Sequence, residues 1–212
     1  MTRRARVVLA DDHTLVTEAL VGLLAPRFDV VATVADGHAL LEVVRDLEPD
    51  VAIVDIAMPM LNGLDAARHI RQSTPACRMI FLTMAQDTDL AAEAFRAGAL
   101  GFLLKTSAGW ELVQAVESAL RGHRYVTPSL QRALQEAPLE HPEASAHAEL
   151  TPRQREVLRL LASGQSMKQV ARELGVSRRT VAFHKYQVMG KFHLASNAEL
   201  VQFAIRQGVI GP

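Results

Sequence analysis

Five short apolar runs punctuate the first part of the chain: Val7–Ala10, Val30–Val34, Val51–Val54, Met79–Leu82 and Gly101–Leu104. Apolar stretches of this length without alternation read as strands buried on both faces of a parallel sheet. Between them, apolar residues recur at helical spacing. Leu15, Val16, Ala19, Leu20, Leu23 and Leu24 form one such face, stopped by Pro26; Leu40, Leu41, Val44 and Leu47 form another, stopped by Pro49. Further helical stretches cover Leu64–Ile70, Leu90–Ala97 ahead of Gly98, and Leu112–Leu120 ahead of Gly122. Strand and helix alternate five times. The pattern predicts an α/β fold, a five-stranded doubly wound parallel sheet with right-handed crossovers and helices on both faces.

The pattern then changes. Pro128–Glu136 reads as a short helix with Thr127 as its cap and proline in its first turn. Pro138 to Glu149 has prolines, acids and small residues but no apolar period, so it reads as a flexible tether, with His141 and His147 as solvated loop residues. Beyond it the helical period returns. Thr151-Pro-Arg-Gln154 and Ser166-Met-Lys-Gln169 are capping boxes, the helices they open stop at Gly164 and Gly175, and Ser177 caps a third helix from Arg178 to about Phe192. A short helix, a glycine turn and a longer basic helix form the helix-turn-helix arrangement, within a separate all-α domain. The expected division is residues 1–122, a linker over 123–147, and 148–212.

Charge sharpens that division. The whole chain balances 23 basic against 23 acidic side chains, but residues 1–122 hold 11 against 16 and residues 148–212 hold 10 against 4. An acidic front and a basic back suit different partners, the back one a polyanion. The one cysteine, Cys77, excludes an internal disulfide and opens an apolar run, so it reads as a core thiol. The apolar run after Thr2–Arg6 is too short for a signal peptide or a span, which gives the expectation of a soluble, cytoplasmic protein without a membrane partner.

The strand ends carry the chemistry. Asp11 and Asp12 come after the first run, Asp55 after the third, Thr83 after the fourth and Lys105 after the fifth. In a 2-1-3-4-5 strand order these ends converge on the switch point of the sheet. Clustered carboxylates call for a hard dication such as Mg2+. With it, Asp55 becomes a nucleophile toward phosphorus, while Lys105 and Thr83 answer charge on the phosphoryl oxygens. A phosphohydrolase is the rival from the enzyme class. Its nucleophile is usually followed two positions on by a second aspartate, and Ala57 stands there instead.

Asp11-Asp12, Asp55-Ile-Ala-Met-Pro-Met-Leu-Asn-Gly63, Leu82-Thr83 and Phe102-Leu-Leu-Lys105 together resemble the receiver domain of bacterial two-component response regulators, over about residues 4–122. The resemblance implies phosphotransfer from a cognate sensor histidine kinase to Asp55. It further implies Mg2+ held by Asp12, Asp55 and the Ala57 backbone carbonyl, with Asp11 acting through water. Thr83 and Phe102 become the switch pair, the aromatic turning inward when Thr83 moves toward the phosphoryl group. Ala57 and Ala85 offer no group to orient an attacking water, so a long-lived phosphoryl state is expected.

On the third helix of the back half, Val181, Val188 and Phe192 line one face, and Arg179, Ala182, Phe183 and Tyr186 the other. Exposed Phe183 and Tyr186 suit a groove of double-stranded DNA, with Arg178, Arg179, Lys185 and Lys191 meeting phosphates. Leu150-Thr-Pro-Arg-Gln-Arg-Glu-Val-Leu158, Leu174-Gly-Val-Ser177, Thr180-Val181, His184 and Ala198-Glu-Leu200 resemble the LuxR-type output domain of the NarL/FixJ regulators. That resemblance implies a fourth helix near Ala198–Arg206 as a dimer face. Ala182 stands where a long polar side chain is frequent, so modest intrinsic specificity is expected, helped by DNA shape and by pairing half-sites. The combined expectation is a regulator that dimerises when phosphorylated and binds DNA, an enzyme only toward its own phosphorylation and dephosphorylation. The alternative is a phosphorylation-independent regulator whose receiver serves as a dimerisation or inhibitory module.

Overall fold

The structure, a computed structural model, describes residues 3–58, 60–84, 87–136 and 150–211. The chain divides into two compact units, Met1–Ala137 and Pro138–Pro212. The expected tether with His141 and His147 lies outside the described residues, as do Pro59 and Ala85.

In the first unit β1 (Arg6–Ala10), β2 (Asp29–Val34), β3 (Val51–Asp55), β4 (Arg78–Thr83), β5 (Gly101–Leu104) and β6 (Tyr125–Val126) form one open sheet in the order β2-β1-β3-β4-β5-β6. Every neighbouring pair is parallel. Buried at all five positions, β3 is an apolar run because it lies between two strands with both faces covered. On the edge, β2 tolerates exposed Asp29 and Thr33. The connecting helices are α1 (Thr14–Leu24), α2 (Gly37–Leu47), α3 (Gly63–Ser73), α4 (Thr88–Arg96) and α5 (Ala108–Leu120). Val7, Leu9, Ile53, Ile80, Leu82 and Leu103 pack on one face against Leu20 and Leu24 of α1 and Leu112 and Val116 of α5. Each such fully buried aliphatic side chain contributes about 1.5–3 kcal/mol.

The expectation of five strands needs correcting to six. Tyr125 N–H donates to the Leu100 carbonyl at 2.8 Å and Thr127 N–H to the Phe102 carbonyl at 3.2 Å, so the chain after α5 returns along β5. Without it the edge of β5 would expose unpaired backbone groups. The chain then enters α6 (Pro128–Glu136), which packs near α4. Residues 123–136, expected as the start of the linker, are therefore built into the first unit. Thr127 stands at the cap position, its carbonyl accepting from Leu130 and Gln131 N–H, but its side chain is engaged elsewhere. Its hydroxyl faces the end of β5, accepting from Leu104 N–H at 3.1 Å.

Cys77 is a buried free thiol as expected. Burial, helped by the charge of Asp50, pushes its pKa up to about 12. A thiolate is the reactive form, so alkylation by iodoacetamide at pH 8 should run at least about a hundredfold slower in the native protein than in urea. Native labelling at the unfolded rate would place Cys77 outside the core.

The second unit holds α7 (Pro152–Ala162), α8 (Met167–Glu173), α9 (Arg178–Lys191) and α10 (Asn197–Arg206). Both capping boxes form: Thr151 with Gln154 and Ser166 with Gln169 satisfy one another's backbone N–H groups. Ser177 caps α9 through Thr180 N–H. Gly164 and Gly175 end α7 and α8 with φ of 92° and 65°, a region open chiefly to glycine. Val157, Leu160, Val170, Ala171 and Val181 lock α7, α8 and α9 together, and Leu158, Val188, Leu200 and Phe203 seat α10. Among the described residues no helix is long and apolar enough to cross a membrane.

Candidate functional site

The parallel sheet sends every strand out at the same end, and there Asp11, Asp12, Asp55 and Lys105 meet. Lys105, one residue past β5, places its Nζ 2.6 Å from Asp11 Oδ2 and 2.9 Å from Asp55 Oδ2. The three side chains are only 5%, 2% and 4% exposed, so this is a buried ion triad, not a surface pair. Ala57 N–H donates to Asp55 Oδ1 at 3.2 Å. Lys105 N–H donates to the Thr83 carbonyl at 2.7 Å, tying the ends of β4 and β5. Thr83 itself is buried at the tip of β4, the strand paired with β3. Asp55, despite its ammonium partner, has a pKa raised above the ordinary carboxylate value. Burial is the largest cause; Lys105 pulls it down by charge and hydrogen bond, and Asp11 adds to the rise.

The glycine in the Asp55–Gly63 motif has a steric reason. The loop doubles back so that Gly63 N–H donates to the Ile56 carbonyl at 3.0 Å, and a Cβ on Gly63 would collide with the Asp55 carbonyl. Only glycine lets α3 start so close to the acceptor strand.

Two residues at the strand ends, one beside the acids and one in the loop after β4, were not singled out from the sequence. His13 places Nδ1 3.0 Å from Asp11 Oδ1 and 3.2 Å from Asp12 Oδ1. The only signal for it is its place directly after the acidic pair. Asp87 is buried and caps α4 through Leu90 N–H at 3.0 Å, beside the loop after Thr83. An Asp ahead of a helical period is the signal that could have found it.

Asp11, Asp12, His13 and Asp55 each bring one ligand atom within 4.8 Å of the others. Two Mg–O bonds end to end span about 4.2 Å. The set is therefore close to the size of a site for one dication, and its carboxylate oxygens are the hard donors Mg2+ takes. The residues present fit the ion.

Phe102 is fully buried, its ring 6.4 Å from Phe95, over which the Arg124 guanidinium lies at 5.2 Å. The expected inward turn thus has no outward-facing start in this structure: the ring already fills the interior. On α9, Val181 and Val188 face the core, and His184 is buried with them. Tyr186 is 59% exposed, under the Lys185 ammonium at 5.1 Å. Phe183 differs from the expectation of an exposed pair. In the chain as a whole it is 7% exposed, its ring meeting His184 edge-on at 5.4 Å, as burial of an apolar ring favours. Arg178 and Lys191 are exposed, and Arg179, Ala182 and Lys185 half-buried.

Comparison with known proteins assigns both units. Residues 7–117 match the response regulator receiver domain, and residues 148–204 match the bacterial regulatory proteins of the luxR family. The chain is 33% identical to the oxygen regulatory protein NreC of Staphylococcus carnosus, over 97% of this chain and 99% of that one. It is 32% identical to the response regulator UvrY of Escherichia coli K12, over 96% and 94%. Among solved structures, a LuxR-family two-component response regulator from Aurantimonas sp. SI85-9A1 is 38% identical with a TM-score of 0.62, covering 65% of this chain and 99% of its own. The response regulator RcsB in complex with DNA is 25% identical with a TM-score of 0.62, covering 95% and 98%.

Proposed function

Because this chain belongs to the two-component response regulators with a LuxR-type DNA-binding domain, we propose that a phosphoryl group placed on Asp55 governs its dimerisation and its binding to promoter DNA. The observation that supports this best is the buried triad, in which Lys105 holds Asp55 and Asp11 at 2.9 and 2.6 Å. Asp55 Oδ attacks the phosphorus of a phosphohistidine on a cognate sensor kinase. The P–O bond forms as the P–N bond breaks, and the released imidazole takes up a proton. Lys105 turns from the carboxylate to a phosphoryl oxygen, and the Thr83 hydroxyl donates to another. Asp12, Asp55 and the Ala57 carbonyl, with Asp11 beside them, would hold a Mg2+, which would supply further neutralisation of phosphoryl charge.

The switch then runs through packing. Movement of Thr83 changes the wall against which Phe102 sits, and Phe102 passes the change to Phe95 on α4. The dimer presents two copies of α9 to adjacent half-sites of double-stranded DNA in the cytoplasm. Arg178, Arg179, Lys185 and Lys191 meet phosphates there, with Ala182, Phe183 and Tyr186 toward the bases. Phe183 joins them only by a change of rotamer or surroundings, since it is covered in this structure.

The test is DNA affinity by fluorescence anisotropy, on duplexes selected from a random pool by the phosphorylated protein. Phosphoramidate treatment should raise affinity at least about tenfold and shift sedimentation to a dimer, and Asp55→Ala should do neither. Equal affinity for treated and untreated wild type would replace this reading with a phosphorylation-independent regulator.

A further inference from the structure

Thr127 lies 23 residues beyond Leu104, in a segment the receiver match at 7–117 does not reach. It is nevertheless tied to the backbone that presents Lys105. Its N–H donates to the Phe102 carbonyl at 3.2 Å, continuing the short ladder between β5 and β6. The next rung would take Leu104 N–H to the Thr127 carbonyl. That carbonyl already accepts from Leu130 N–H at 3.0 Å and Gln131 N–H at 2.9 Å, because the chain turns into α6 at Pro128. The Thr127 hydroxyl takes its place and accepts from Leu104 N–H at 3.1 Å, inside the protein. The same hydroxyl lies 3.4 Å from Ser107 Oγ, which donates to the Leu104 carbonyl at 3.2 Å. Lys105 stands inside this small cage, and its own N–H is held from the other side by the Thr83 carbonyl at 2.7 Å.

We propose that Thr127 is a positioning residue for phosphoryl transfer: its hydroxyl fixes the strand end from which Lys105 reaches Asp55. This rests on the reading of Asp55 as the acceptor and adds to it that the connector, not the receiver alone, completes the site. A long flexible side chain places its ammonium well only if its Cα is held, and a buried amide without a partner loosens the backbone around it. The Mg2+ ligands follow or end other strands, β1 and β3, and do not share this backbone support; the change reaches them only second-hand, through the Lys105 contacts to Asp11 and Asp55. Thr127 therefore acts on the transfer rate far more than on the ion.

The experiment uses the full chain. The rate of phosphoryl uptake from phosphoramidate is followed by mobility-shift electrophoresis, and Mg2+ affinity by calorimetry. Thr127→Val keeps the volume and removes the acceptor; it should slow uptake about tenfold while Mg2+ affinity stays within about twofold. Thr127→Ser restores the hydroxyl and should bring the rate back to within about threefold of wild type. Uptake by Thr127→Val at the wild-type rate overturns the proposal, and so does a parallel loss of rate and Mg2+ affinity, which marks general loosening. Should the valine variant not fold, amide exchange in the wild type decides. Leu104 N–H should be strongly protected, and exchange as fast as an exposed turn amide overturns the claim. Failure of the acceptor reading looks different: the wild type itself takes up no phosphoryl group, or Asp55→Asn takes up as much.

Discussion

Replacing Asp55 by asparagine is expected to cut phosphoryl uptake from acetyl phosphate by more than about a hundredfold. An amide oxygen has the shape of the carboxylate and little of its nucleophilicity, and no second carboxylate stands ready at the strand end of β3 in its place. Asp11 Oδ2 is held by Lys105 at 2.6 Å and belongs to the end of β1. Intact-mass measurement after exposure to the donor and Mg2+ would show one added phosphoryl group on the wild type and none on the variant. Uptake by Asp55→Asn at the wild-type rate would move the acceptor elsewhere and dismantle the proposed signalling role. The same substitution should not destabilise the fold. Burial raises the Asp55 pKa, so the folded state holds its proton more tightly than the unfolded chain does. The stabilisation from that tighter hold is complete below the unfolded value, about 3.9, and is lost as pH rises through the folded value. At neutral pH and without Mg2+ the ionised Asp55 is therefore a cost, and Asp55→Asn should melt at or above the wild type, with the gap opening as pH rises. A variant melting well below the wild type at pH 7.5 in chelator would show that Lys105 outweighs burial.

Much of the receiver site is legible in the residue order, for a specific reason. Strands buried on both faces need uninterrupted apolar runs, and a parallel sheet sends all their ends to one side. The residues immediately after Ala10, Val54, Leu82 and Leu104 therefore already describe a site. Gly63 is visible as a loop former, but the reason for it, an approach to the Asp55 carbonyl, needs coordinates. Tyr125-Val126 is too short for any apolar period, so the sixth strand leaves no pattern to find. Thr127 before Pro128 reads as a helix cap by local rules. The competing demand, an open amide at the end of β5, comes from residues far away in the chain. His13 and Phe183 illustrate a similar limit. Helical spacing gives the direction of a side chain, not what covers it, and the covering decides whether Phe183 is an exposed aromatic edge or a buried ring.

Lys105→Met tests the balance of charge in the site more severely than Asp55→Asn does. Methionine matches the length and apolar stem of lysine but removes the one ammonium shared by Asp11 Oδ2 and Asp55 Oδ2. Two carboxylates then remain in a site nearly closed to water, and breaking a buried ion group from one side costs about 3–5 kcal/mol. In chelator at pH 7.5, urea unfolding should show a loss of that order. The loss should shrink in two ways that a simple packing defect would not share. Acidification lets a carboxylate take up a proton, already favoured at Asp55 by burial, so the variant should approach wild-type stability as pH falls. Mg2+ supplies a cation that Asp11, Asp12 and Asp55 are close enough to hold, so saturating ion should stabilise Lys105→Met more than the wild type. Phosphoryl uptake should remain slow even then, because the ion restores charge balance in the ground state but not the ammonium that meets the transferred group. Equal stability of variant and wild type in chelator at pH 7.5 would mean that the triad carries no net weight in the fold. Loss of stability unaffected by acid or Mg2+ would assign Lys105 a packing role instead of an electrostatic one.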